Sequence, residues 1–109
     1  MYFGKPVIAT GYSGNTDFTT PENSFLIDYD LVAAQRDTGY YKANYVWAEP
    51  SEEHLAHLLR TVVASPEEAY KRADLGRRTV RRFYSITAVS ATIRQVLSSA
   101  GLKFPPSGP

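Results

Sequence analysis

Met1-Tyr2-Phe3-Gly4-Lys5-Pro6-Val7-Ile8-Ala9-Thr10-Gly11 is the stretch that decides how this chain is read. Gly4-Lys5-Pro6 is a turn by composition, and Val7–Thr10 is a short apolar run rich in β-branched side chains. A run without polar alternation predicts a strand buried on both faces, as in a parallel sheet covered by helices. Gly11-Tyr12-Ser13-Gly14-Asn15 is then a loop by composition. A buried strand leading into a glycine-bearing loop belongs inside an α/β domain.

Thr20-Pro21-Glu22-Asn23 is a turn signal, and Ser24-Phe25-Leu26-Ile27 predicts a second short strand. Residues Asp28–Asn44 hold no clear period and predict an exposed excursion, long enough to be a functional or mobile loop. Tyr45-Val46-Trp47-Ala48 predicts a third strand, closed by Glu49-Pro50. Three helices follow. Ser51 caps the first, Glu52 and Glu53 suit its positive end, and Leu55, Leu58, Leu59 and Val62 form its apolar stripe. Ser65-Pro66-Glu67-Glu68 is a capping box opening a helix that runs to about Phe83 and is weakened by Gly76. Ser85 caps the last helix, whose Ile86, Val89, Ile93, Val96 and Leu97 form a stripe ending at Gly101. Phe104–Pro109 predicts a frayed tail.

The fold class expected is therefore α/β, a partial Rossmann-like arrangement of about three short parallel strands followed by three helices. Residues 1–104 form its one domain and 105–109 a disordered tail. A complete nucleotide-binding domain needs more alternating strands than these. The short sheet leaves an edge open, which predicts self-association through that edge.

Composition narrows the function classes. The chain has 109 residues, enough for one domain, and its 43% hydrophobic and 21% charged residues are those of a folded protein. It has no cysteine, which excludes disulfide and thiolate chemistry and permits a cytosolic setting. His54 and His57 share a helix face, but two histidines are too few for a histidine-based metal site. No apolar run reaches the ~20 residues of a membrane span, and no signal-peptide pattern opens the chain. Asp28 with Asp30 and Glu52 with Glu53 read as solvated or capping carboxylates. Trp47 reads as a core or half-buried aromatic.

The net charge of +1 is unevenly spread. Residues 1–66 hold four Lys and Arg against eight Asp and Glu, whereas residues 67–109 hold eight against three. Lys71, Arg72, Arg77, Arg78, Arg81 and Arg82 form the basic cluster, and the last four make one helical stripe. Such a stripe suits the phosphates of nucleic acid or an anionic membrane surface. Glu67, Glu68 and Asp74 on the same helix favour a solvated face instead, so nucleic acid is not the favoured partner.

Lys5-Pro6-Val7-Ile8-Ala9-Thr10-Gly11 and the loop Ser13-Gly14-Asn15-Thr16-Asp17 together resemble the carboxyl-terminal part of the donor-binding domain in GT-B glycosyltransferases of the retaining, group 1 (family 4) type. The family's segment reads roughly Glu-Ala-Met-x-x-Gly-x-Pro-Val-Ile-Ala-Thr, with Met1 on its Met. Its next loop reads glycine-glycine-x-x-glutamate, from which this chain departs at Ser13 and Asp17. Val46-Trp47-Ala48-Glu49-Pro50-Ser51-Glu52 is similar to a stretch in one branch of the family that precedes a helix.

The resemblance implies transfer of a hexose from a nucleotide-sugar donor to a saccharide or lipid-linked acceptor, with retention and no essential metal or other cofactor. It implies Gly11, Ser13, Gly14, Asn15 and Asp17 as the substrate-binding loop. The family's paired catalytic glutamates precede Gly-x-Pro-Val, so no catalytic residue is expected in this chain, and no turnover from it alone. The setting implied is cytoplasmic, at most peripheral to the membrane. Two other classes remain beside it: a small anionic-surface module using Arg77, Arg78, Arg81 and Arg82, and an interaction domain using its open sheet edge.

Overall fold

The structure, a computed structural model, describes residues 1–34, 39, 42 and 45–102. Among these the chain forms β1 (Ile8–Thr10), a 3-10 turn (Ser13–Asp17), β2 (Phe25–Ile27), β3 (Tyr29–Ala33) and β4 (Val46–Pro50). Three helices follow: α1 (Glu52–Ala64), α2 (Pro66–Phe83) and α3 (Ile86–Ser99). The fold is mixed α/β. The tail expected over 105–109 lies outside the described residues.

The strands make two separate two-stranded sheets. β1 and β2 pair in parallel, with Ile8 beside Phe25 and Thr10 beside Ile27. β3 and β4 pair antiparallel, with Leu31 opposite Ala48 and Val32 opposite Trp47. The expectation of about three parallel strands is corrected here. A parallel third strand needs a crossover, usually a helix, and the sequence between Ala33 and Val46 has no helical period. The chain instead doubles back as a hairpin, which the Ala34 N–H closes by donating to the Tyr45 carbonyl (2.8 Å). The excursion expected over Asp28–Asn44 thus contains a strand, Tyr29–Ala33, continuing almost directly from β2. Trp47 sits on β4, 41% exposed, rather than in the core.

All three helices start where the capping residues place them. Ser51 Oγ accepts from the His54 N–H (3.1 Å), and Ser85 Oγ accepts from the Ala88 N–H (3.2 Å). Ser65 makes no such bond, so the capping box is corrected. Ser65 ends α1 as well as starting α2, its N–H donating to the Thr61 carbonyl. That double duty holds ψ at 66°, against 112° at Ser51 and 156° at Ser85, and the hydroxyl misses the α2 amides.

Phe25, Ile27, Ala34, Ala69 and Ala73 are the buried apolar residues. Ala69, Ala73 and Gly76 lie on one face of α2 and are its buried positions. A Cβ on Gly76 would stand 3.0 Å from the Asn23 carbonyl oxygen, so α2 rests directly on the turn before β2. Small residues permit that approach, at a propensity cost of about 1 kcal/mol for the glycine. Beneath the helix the buried polar groups satisfy one another. Asn23 Oδ1 accepts from the Thr20 N–H, Asn23 Nδ2 donates to the Phe18 carbonyl, and Ser24 Oγ donates to the Thr20 carbonyl. No buried side-chain nitrogen or oxygen among the described residues lacks a partner.

The rest of the molecule is thin. Its principal extents are 53 × 43 × 18 Å, and its Cα radius of gyration is 18.9 Å, where a compact chain of this length has about 13 Å. α1 packs against β1 and β2. Val7 to Thr10, read as a strand buried on both faces, are all only partly buried, because no second layer among the described residues covers them. None of the described helices is long and apolar enough to cross a membrane.

Candidate functional site

In an open α/β sheet, ligands bind beyond the carboxyl ends of the parallel strands, where the loops leave the sheet. Here that position belongs to Gly11–Asp17, which leaves β1 beside the end of β2. Gly11 holds it to the sheet by donating its N–H to the Ile27 carbonyl (3.0 Å). Asn15 Nδ2 then reaches back to the Thr10 carbonyl (2.8 Å). The Asn15 carbonyl accepts from the Phe18 and Thr19 N–H groups and from Thr19 Oγ1. Asn15 is therefore the keystone of the loop, and its amide is occupied by the fold.

The other expected members point elsewhere. Ser13 takes φ 64°, the left-handed region that glycine enters without strain and serine rarely adopts. It stands where the resemblance places the family's first glycine. A Cβ on Gly14 would meet nothing within 4 Å, so open space lies over that residue. Asp17 is exposed, and its carbonyl accepts from Tyr84 Oη (2.7 Å), tying the loop to the end of α2. Phe18 and Tyr84 meet edge to face in the same contact. The Tyr12 and Tyr29 rings lie 5.0 Å apart beside the loop, a pair the sequence did not single out. A shallow groove of about 390 Å³ runs from Gly11 along β2, past Leu26, Ile27, Asp28, Tyr29 and Leu58 to Arg72.

No Lys or Arg falls within Gly11–Asp17. The loop offers backbone and hydroxyl groups around one carboxylate, with no cation of its own to offset an anionic ligand. Among the described residues no cluster of three or more His, Asp or Glu could hold a metal ion.

The two outer edges of the parallel sheet end differently. The Phe25 N–H donates to the Val7 carbonyl and the Gly11 N–H to the Ile27 carbonyl. Residues 24, 26 and 28 of the second strand therefore face away from β1, and residues 8 and 10 of the first face away from β2. Along β2 the outward groups are met by side chains and a helix start. Arg72 Nη1 donates to the Ser24 carbonyl (3.2 Å) and the Pro21 carbonyl (2.8 Å), while its guanidinium covers the Phe25 ring at 4.5 Å. The Asp28 N–H donates to His54 Nδ1 (2.9 Å), and the Ser51 N–H donates to the Asp28 carbonyl (2.8 Å). His54 Nδ1 also lies 3.0 Å from Asp28 Oδ2. Among the described residues only Leu26 finds no partner on that side. Along β1, among the described residues, only the Thr10 carbonyl is met, by its own loop, and Ile8 makes no hydrogen bond on its outward side.

The basic stripe is partly spent on local contacts. Arg77 and Arg78 both bind the Asp74 carboxylate, at 2.8 and 2.9 Å. Arg81 lies over the Tyr2 ring and Arg82 over the Phe83 ring, each at 5.0 Å. Arg77, and then Arg78, hold the Asp74 carboxyl below its ordinary value, and Arg72 does the same for Glu68. Hydrogen bonding by Thr20 lowers Glu22, with a smaller contribution from Arg72. Arg72 itself, read in the sequence as one member of the cluster, is the residue that seals β2. The pairing of a long cation with backbone carbonyls of a distant turn leaves no local sequence signal.

No protein-family model matches this chain, and neither a curated protein nor a solved structure matches it.

Proposed function

We propose that this chain is the carboxyl-terminal portion of a GT-B donor-binding domain, from a group 1 glycosyltransferase that moves a sugar from a nucleotide-sugar donor to a saccharide or lipid-linked acceptor. The observation that carries the reading is the asymmetry of the parallel sheet. Both ends of β2 are met on the outer side by Arg72, His54 and the start of α1, whereas β1 is an apolar strand with only its Thr10 carbonyl met on that side and no second covering layer among the described residues. A strand of that composition belongs inside a larger sheet. The loop at its carboxyl end supports the same reading, through a left-handed Ser13 at the family's glycine position and free space over Gly14.

On this reading the chain contributes sheet, helical packing and one wall beside the donor cleft, while the charge-stabilising groups belong to another part of the domain. The chain alone is expected to catalyse no glycosyl transfer. Incubation with uridine- and guanosine-diphosphate hexoses and oligosaccharide acceptors checks this, and measurable turnover overturns it. Titration of the same nucleotide sugars into isotopically labelled protein is expected to move the amides of Gly11–Asp17 before any others. Shifts confined to α2 would favour the anionic-surface alternative on Arg77, Arg78, Arg81 and Arg82 instead. That alternative ranks second, because two of the four arginines share one carboxylate.

A further inference from the structure

The helix α3 has no buried residue and packs chiefly on α2. Its apolar stripe faces outward, with Ile86 88%, Val89 40%, Ile93 51% and Val96 61% exposed. At 100° per residue these four and Leu97 occupy about 100° of the helix circumference, a continuous band rather than scattered side chains. Ser, Thr, Ala and Gln fill the rest of the helix, and Arg94 is its one charged residue. Beyond Asp74 the sequence contains no acidic residue, while Arg77, Arg78, Arg81, Arg82 and Arg94 all follow it. Arg81 and Arg82 stand just before Ile86, both exposed. An uncovered apolar band on a helix whose one charged residue is a cation, with Arg81 and Arg82 shortly before it in the chain, is complementary to a surface that is apolar inside and anionic outside.

We propose that α3 is an interfacial helix, lying in the plane of a bilayer that contains anionic lipid, with Ile86, Val89, Ile93 and Val96 in the acyl boundary and Arg81, Arg82 and Arg94 among the headgroups. The chemistry of the band separates this occupant from others. Nucleic acid would engage the arginines and leave the isoleucines in water. A protein partner needs about 800 Å² on each side for a stable contact, whereas a helix of this length offers a band of roughly 20 Å by 12 Å. A bilayer sets no such threshold and adds electrostatic attraction for each nearby cation. This inference uses none of the Gly11–Asp17 loop residues on which the donor-domain reading draws; it rests on the exposed face of α3.

Flotation of the full chain with vesicles tests it. Binding is expected to phosphatidylcholine vesicles containing phosphatidylglycerol, and at least tenfold weaker partitioning to phosphatidylcholine alone. The double variant Ile86→Gln, Ile93→Gln adds no charge and replaces no buried residue, so circular dichroism should be unchanged while anionic-vesicle partitioning falls about tenfold or more. Arg82→Gln with Arg94→Gln keeps the band and should remove most of the preference for anionic lipid. The proposal is overturned by absence of binding to anionic vesicles, by equal binding to both vesicle types, or by undiminished binding of the isoleucine variant. Concentration-dependent association that the isoleucine variant abolishes, without vesicle binding, would assign the band to a second copy and overturn it equally.

Discussion

Along β2 the outward backbone groups of Ser24 and Asp28 meet Arg72, His54 and Ser51, whereas along β1 the Ile8 amide and carbonyl and the Thr10 amide face outward without a partner among the described residues. Both strands are three residues long and belong to one sheet, so length and pairing do not explain the difference. Natural edge strands are closed by charged side chains or by covering elements, because an unpaired edge recruits another strand. β2 carries those devices at its two ends, around an open Leu26, whereas on β1 only the Thr10 carbonyl is met, by its own loop. The comparison teaches that the two edges of one short sheet are closed to different degrees, which on the proposed reading gives β1 a further neighbour. On this account self-association through β1 is the expected outcome when that neighbour is lacking.

Breaking the sealed side should have the largest effect. Arg72→Ala removes two hydrogen bonds to backbone carbonyls, the contact over Phe25 and the pair with Glu68. A cost of about 2–3 kcal/mol is expected from the charged hydrogen bonds to the Pro21–Ser24 turn. Urea unfolding of the variant measures it, and a cost below about 0.5 kcal/mol would show that Arg72 does not hold the edge. Arg72→Lys should recover little of the loss, since a point charge cannot serve two carbonyls, a carboxylate and a ring together.

Ser51→Ala tests the other end of the same edge. It removes the hydroxyl that caps α1 and orients the start of the helix, whose Ser51 N–H and His54 ring meet Asp28. The expected loss is about 1 kcal/mol, with a similar fall in protection of the Asp28 amide by hydrogen exchange. Loss of stability without loss of that protection would separate the cap from the edge.

Acid should weaken the sealed side by a smaller amount. Arg72 lowers the carboxyl of Glu68, and Arg77 with Arg78 lower that of Asp74. A carboxyl depressed in the folded state favours folding above its unfolded value, and this contribution disappears as pH falls through the lower folded value. Stability should therefore decline below about pH 4, and Glu68→Gln should flatten part of that decline. Both carboxylates are solvated, which keeps the effect small.

Much of this architecture was legible because its signals are local. Val7–Thr10, Phe25–Ile27 and the three helices follow from apolar period, proline and glycine, and from Ser51 and Ser85 as caps. The hairpin was not. Asp28 and Asp30 interrupt the apolar run of Tyr29–Ala33, and its pairing to Val46–Pro50 depends on a partner beyond the reach of any local pattern. Gly76 read as a weakness in α2, yet it is where the helix touches the Asn23 backbone, a demand set by tertiary approach. At the candidate site Asn15 and Asp17 were selected by resemblance, and the fold gives Asn15 a structural task. The tasks of Arg72, Tyr12 and Tyr29 leave no local signal for one reason: each acts through a neighbour far away in the chain.

Native-state hydrogen exchange across β1 tests the central claim most directly. The account predicts that the Ile8 and Thr10 amides exchange rapidly, while the Phe25 and Gly11 amides, bonded to Val7 and Ile27, are slower by roughly a hundredfold or more. Equal protection of all four amides in monomeric protein would mean that β1 already has its neighbour, and would contradict the account.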